Sequence, residues 1–296
     1  MLDNVSVFCF LASYSVALAL ELTQFLRRSS AMRWGAMAFA AAGLVAHTAY
    51  LIVRSRQHDL PPLLCSSHDW FLVSAWMAVV LYLGVQFWNQ KLSLGIFCLP
   101  VILGLVITAR FVRDTTNPNV GDMRWWGMLH ASFWAFGILG VVLALLVSVM
   151  YLVQHWRLKH KHAELPALHL FSLARLSRMN WWLIVVSVPL LTLGMLSGLW
   201  MVHLSKQGAN PVDLFSLPVL ANAIVWGVMA MLFGWLLAGR AQTGRIVAWR
   251  TLLACLFLLM TLITMKLTSA DTMHNPAAAG QTALVQPGPS FRGGRA

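Results

Sequence analysis

Residues 121–140, GDMRWWGMLHASFWAFGILG, run from a polar stretch into a long apolar one and set His130 just after Trp125 and Trp126. A neutral imidazole binds transition metals, haem iron among them. Indoles beside it make a flat apolar wall suited to a porphyrin face. Trp126 precedes His130 by about one helical turn and shares its face, whereas Trp125 points about 100° away. Trp126 is therefore expected on the wall of a binding site and Trp125 at the lipid interface. A second imidazole, His47, lies in another apolar run, about 10 Å along a helix from Arg54. Two such imidazoles from different helices could clamp one iron. The competing explanation is that each bonds the backbone of a neighbouring helix. Arg54, Arg56, Arg110, Arg113 and Arg124 could pair with carboxylates such as haem propionates, or serve as ordinary juxtamembrane charges.

The elements that must position these residues are set by composition. Of 296 residues, 59% are hydrophobic and 10% charged. A soluble domain covers itself with roughly 25% charged residues, so lipid must be the main solvent of this chain. Spans of about 20 apolar residues fall at roughly 4–26, 34–53, 70–89, 92–112, 125–153, 180–203, 217–239 and 246–267. Backbone groups in lipid must be satisfied within the segment, so the expected fold is all-α, a polytopic membrane protein with eight transmembrane helices. Residues 1–274 form that membrane domain. The tail 275–296, rich in Pro, Gly and Ala, is expected to be disordered.

Charge orients the bundle. The connections after the first, third, fifth and seventh spans carry twelve basic residues against one acid, Glu164; the opposite side carries nine against seven. The richer side should face the cytoplasm, which puts both termini outside. The formal charge of +12 is then this bias and calls for no nucleic acid. His155, His160, His162 and His169 fall in a basic stretch extending the fifth span, read as solvated. His58 and His68 are read as solvated loop residues and His203 as an interfacial one. His47, His130 and His274 lie on or near the outer face. Cys9, Cys98 and Cys255 sit in apolar runs and Cys65 in a loop, with no C-x-x-C or C-x-x-C-H. This excludes a thiol redox or zinc motif and c-type haem attachment, and leaves Cys65 a free thiol.

Three stretches carry a resemblance to a known family. GLVAHTAYLIVRSRQHDLPPLLCSSHDWFLVSAWMAVVLYL resembles the second and third helices of the CcsA-type cytochrome c assembly family, the haem-handling partner of System II biogenesis. WWGMLHASFWAFGILGVVLALLVSVMYLVQHWRLK resembles its histidine-led helix, and LSRMNWWLIVVSVPLLTLGMLSG the helix after it. The similarity runs over most of residues 1–274 and looks closest to the compact HemX-like branch. The family's W-G-x-x-W-x-W-D signature is absent; that region reads HLSKQGANPVDLFSLPVLANAIVW. The resemblance implies a bacterial inner-membrane protein that holds non-covalent b-type haem at its outer face in support of cytochrome c assembly, and is not itself an enzyme. It implies His130 and His274 as external ligands, beside His47 within the membrane, and other biogenesis proteins and apocytochrome c as partners. Two rival readings are a HemX-like regulator or scaffold without stable haem and a small-molecule permease. The second lacks an internal repeat or a matched pair of broken helices.

Overall fold

The computed structural model describes residues 6–26, 29–58, 61–89, 92–112, 124–159, 170–205, 217–238 and most of 245–256. The described residues form helices and no strand: α1 (Val7–Leu26), α2 (Ser30–His58), α3 (Pro62–Cys65), α4 (Ser67–Trp88), α5 (Gly95–Phe111), α6 (Arg124–Lys159), α7 (Leu173–Ser205) and α8 (Leu217–Ala238). Five of them, in α1, α2, α4, α6 and α7, are long and apolar enough to cross a membrane, and α5 is a shorter apolar helix. The chain is a helical multi-pass membrane protein. The tail 275–296 and His274 lie outside the described residues, as does the side chain of Cys65.

The helices outrun the apolar stretches that reveal them. α2 continues through Arg54, Arg56 and His58, and α6 through Arg157 and Lys159. Each added residue forms its hydrogen bond within the helix, so a segment already helical in lipid extends into the interface while its long basic side chains reach water. α6, with 36 residues, is about 54 Å long at 1.5 Å per residue.

α1, α2, α4 and α5 form an up-and-down ring, in which α1 meets α2 and α5 while α4 meets the same two from the other side. Phe10, Tyr14, Leu72, Val79, Leu99 and Ile102 are fully buried there. α4 begins with a reciprocal cap. Ser66 Oγ accepts from the Asp69 amide at 3.2 Å and its hydroxyl donates to Asp69 Oδ2 at 3.1 Å, which satisfies an orphan first-turn N–H. Arg54 clamps the same carboxylate with Nε to Oδ1 and Nη2 to Oδ2, both 2.9 Å. His68 is buried, contrary to the expectation of a solvated loop. Its Nδ1 donates to the Ala109 carbonyl at 2.7 Å, a second donor to an oxygen in the last turn of α5 that also accepts from the Val112 amide at 3.3 Å.

The antiparallel pair α6–α7 is built on glycine. Gly137 faces Leu191 and Gly140 faces Ser187. In the opposite sense, Trp134 sits over Gly194 and His130 over Gly198. The stretch Gly194–Gly198 is a G-x-x-x-G, the spacing that lets two helix backbones approach closely in lipid. α8 bonds to α7 through Trp226 Nε1 donating to Thr192 Oγ1 at 3.3 Å. Residues 251–255 return to the same pair: Asn180 Nδ2 donates to Thr251 Oγ1 at 3.2 Å, and the Cys255 thiol to the Val141 carbonyl at 3.5 Å.

Candidate functional site

The end of α6 and α7 that carries His130 is an aromatic cluster. Trp126, His130 and Trp134 follow one another by one turn on α6. The Trp126 ring lies 6.3 Å from that of Trp200 on α7, tilted by 58°. Trp134 meets the His130 ring edge-on at 6.4 Å, and Trp200 lies 5.7 Å from the His203 ring. Trp126, 40% exposed, therefore borders the seam with α7, whereas Trp125 is 72% exposed. That division follows from helical spacing alone. Trp200 and His203 were not part of the expected site, though the G-x-x-x-G that aligns them was visible.

His130 is held from one side only. Its Nδ1 lies 2.8 Å from the Gly194 carbonyl and 3.2 Å from Ser197 Oγ. A carbonyl oxygen can only accept, so Nδ1 carries the hydrogen and donates it. In the neutral ring Nε2 then keeps its lone pair. This is the arrangement of metal-ligating histidines, whose second ring nitrogen is fixed by a backbone carbonyl or carboxylate. The ring is half-buried, and Gly198 leaves it room: a Cβ there would lie 2.8 Å from His130 Cε1.

His47 is placed differently. It is 0% exposed and stacked on Phe10, with centroids 4.2 Å apart and planes 1° from parallel. Its Nδ1 is hydrogen-bonded with the Tyr14 hydroxyl at 3.2 Å, and its buried Nε2 has no partner. Among the described residues α2 and α6 do not pack together, and with Phe10 and Tyr14 closed over it His47 offers no accessible nitrogen to an iron shared with His130. A macrocycle could not reach His47 without displacing the Phe10 and Tyr14 rings of α1.

The candidate arginines also separate. Arg54 holds Asp69, which is 0% exposed, so its guanidinium already has a carboxylate. Arg124 is exposed at the first residue of α6, six residues before His130 and next to Trp125. Arg113 lies outside the described residues. Among the described residues no three His, Cys, Asp or Glu side chains gather as a metal cluster.

One polar group went unnoticed in the sequence. Glu21, 2% exposed, lies inside the first apolar run. The Tyr82 hydroxyl donates to its Oε1 at 3.2 Å, and its side chain occupies the space a Cβ on Gly95 would fill. A single carboxyl within a span was the signal. Comparison with family models, with curated proteins and with solved structures finds no match.

Proposed function

We propose that this chain is an eight-span bacterial inner-membrane protein, both termini external, that binds or hands on haem at its outer face in support of cytochrome c assembly. The observation that carries the reading is the His130 Nδ1 bond to the Gly194 carbonyl, which leaves Nε2 as the ligating nitrogen. A lone imidazole in a tryptophan-rich seam suits a metal that brings its own equatorial nitrogens better than a bare ion, which needs several protein ligands. Bound haem would supply a redox-active iron. His130 would ligate it through Nε2, Trp126 would lie against the apolar macrocycle, and Arg124 would pair with a propionate. His274 is the proposed second ligand. The fully enclosed His47 is better suited to locking α1 to α2. The proposed role is to hold and pass haem, with apocytochrome c and other biogenesis proteins as partners.

The test is the absorption spectrum of detergent-purified protein. A Soret band is expected in the wild type. His130→Ala should lower haem content and shift the band, and added imidazole should partly restore it. Trp126→Ala should lose more haem than Trp125→Ala. A colourless wild type, or a His130→Ala variant with full haem and an unchanged spectrum, would refute the reading.

A further inference from the structure

A chamber of about 700 Å³ opens between α4, α5, α6 and α7, in the half of the bundle opposite His130. Its walls are apolar: Ala78 and Val85 from α4, Val101 from α5, Leu143 and Met150 from α6, Leu183 from α7. Its mouth is not. Arg175 and Arg178, in the first two turns of α7, both line it. They are three residues apart, hence on one helical face. Both are exposed. The Arg175 guanidinium is set 5.4 Å over the Phe171 ring, which orients it at the rim. Ser172 Oγ accepts from the Arg175 amide at 3.4 Å and caps the helix. The only described carboxylates are those of Glu21 and Asp69, and neither forms an ion pair with these arginines.

An apolar chamber with two cations at its lip complements an amphiphile with an anionic head. We infer that it holds an anionic phospholipid: one acyl chain lies in the chamber along Leu143 and Met150 of α6, between α7 and the α4–α5 pair, and the headgroup phosphate pairs with Arg175 and Arg178. The same end carries Arg157 and Lys159, so the lipid would come from the leaflet that faces the basic loops, where anionic headgroups are attracted to basic side chains. Guanidinium forks match phosphate oxygens bidentately, which favours arginine over lysine here. This site and the proposed haem ligand lie at opposite ends of α6 and α7, and neither depends on the other.

The experiment is native mass spectrometry of the full chain released from bilayer discs containing phosphatidylglycerol and phosphatidylcholine in equal amounts. One phosphatidylglycerol should survive detergent washing and phosphatidylcholine should not. A juxtamembrane basic residue is worth about fivefold in affinity for an anionic headgroup, so Arg175→Gln with Arg178→Gln should weaken retention on the order of twentyfold. Leu143→Trp, which fills the chamber and keeps both arginines, should also lose the lipid. His130→Ala should leave retention as in wild type. Unchanged size-exclusion profiles establish that each variant is folded. Equal retention of the two lipids, full retention in the double arginine variant, or full retention in Leu143→Trp would overturn the inference. So would displacement of the lipid by equimolar haem.

Discussion

Gly198→Ala isolates the seat of His130. The added Cβ would stand 2.8 Å from His130 Cε1 and 3.2 Å from Nδ1. Carbon atoms rest at about 3.5 Å or more, so ring and helix must part by about 0.7 Å. Overpacking of this kind costs about 1–3 kcal/mol. Loss of the Nδ1 bond to Gly194 adds about 1 kcal/mol, and the better helix propensity of alanine returns about 1 kcal/mol. The net expectation is a destabilisation of about 1–3 kcal/mol. Gly104→Ala on α5 is the matched control, because nothing lies within 4 Å of a Cβ there; it should be neutral or stabilising by up to about 1 kcal/mol. Both are measured by denaturant unfolding in detergent, followed by tryptophan fluorescence. Nitrogen-15 histidine spectra provide a second readout, since the wild-type ring should hold its hydrogen on Nδ1 and Gly198→Ala should lose that preference. Equal stability of the two alanine variants, with an unaltered His130 tautomer, would refute the placement of the ring over Gly198.

Arg54→Ala strands the carboxylate of Asp69 beneath α2 and should cost about 3–5 kcal/mol. Asp69→Asn should cost less, because Arg54 retains a path to water; equal losses in thermal unfolding would contradict that ordering. Alkaline phosphatase fused after residue 270 should be active outside the cytoplasm, as expected for external termini. Activity of a cytoplasmic reporter at that position would invert the topology and move the His130 end to the other side of the membrane.

The existence of the long helices is legible in the sequence because lipid leaves the backbone one local solution wherever apolar residues run on for about 20 positions. Their ends are less legible: α2 persists to His58 and α7 starts at Leu173, in polar sequence that hydropathy cannot assign. The separation of Trp126 from Trp125 needs only the helical repeat. The partner of His130 is another matter, because Gly194 is 64 residues away and reaches Nδ1 only through the register of two helices. The G-x-x-x-G was there to be read, yet it does not name the helix it will meet. His68 was misread for the same reason: its acceptor, Ala109, is 41 residues distant. His47 and His130 look alike in sequence, each an imidazole in an apolar run. Only tertiary packing separates the ring enclosed by Phe10 and Tyr14 from the one left half open.

Glu21 fits against the bare backbone of Gly95 and takes the hydroxyl of Tyr82, and this sets an order on synthesis. α1 leaves the ribosome with its carboxyl unmatched, and such a group in hydrocarbon costs on the order of 3 kcal/mol. The glycine that makes room for it follows about seventy residues later, roughly 4–15 s at ordinary elongation rates. During that interval the first helix belongs at the translocon or against a chaperone, not free in the bilayer. Nascent chains halted before Gly95 should therefore remain crosslinkable to the insertion machinery through α1, and chains halted beyond α5 should be released.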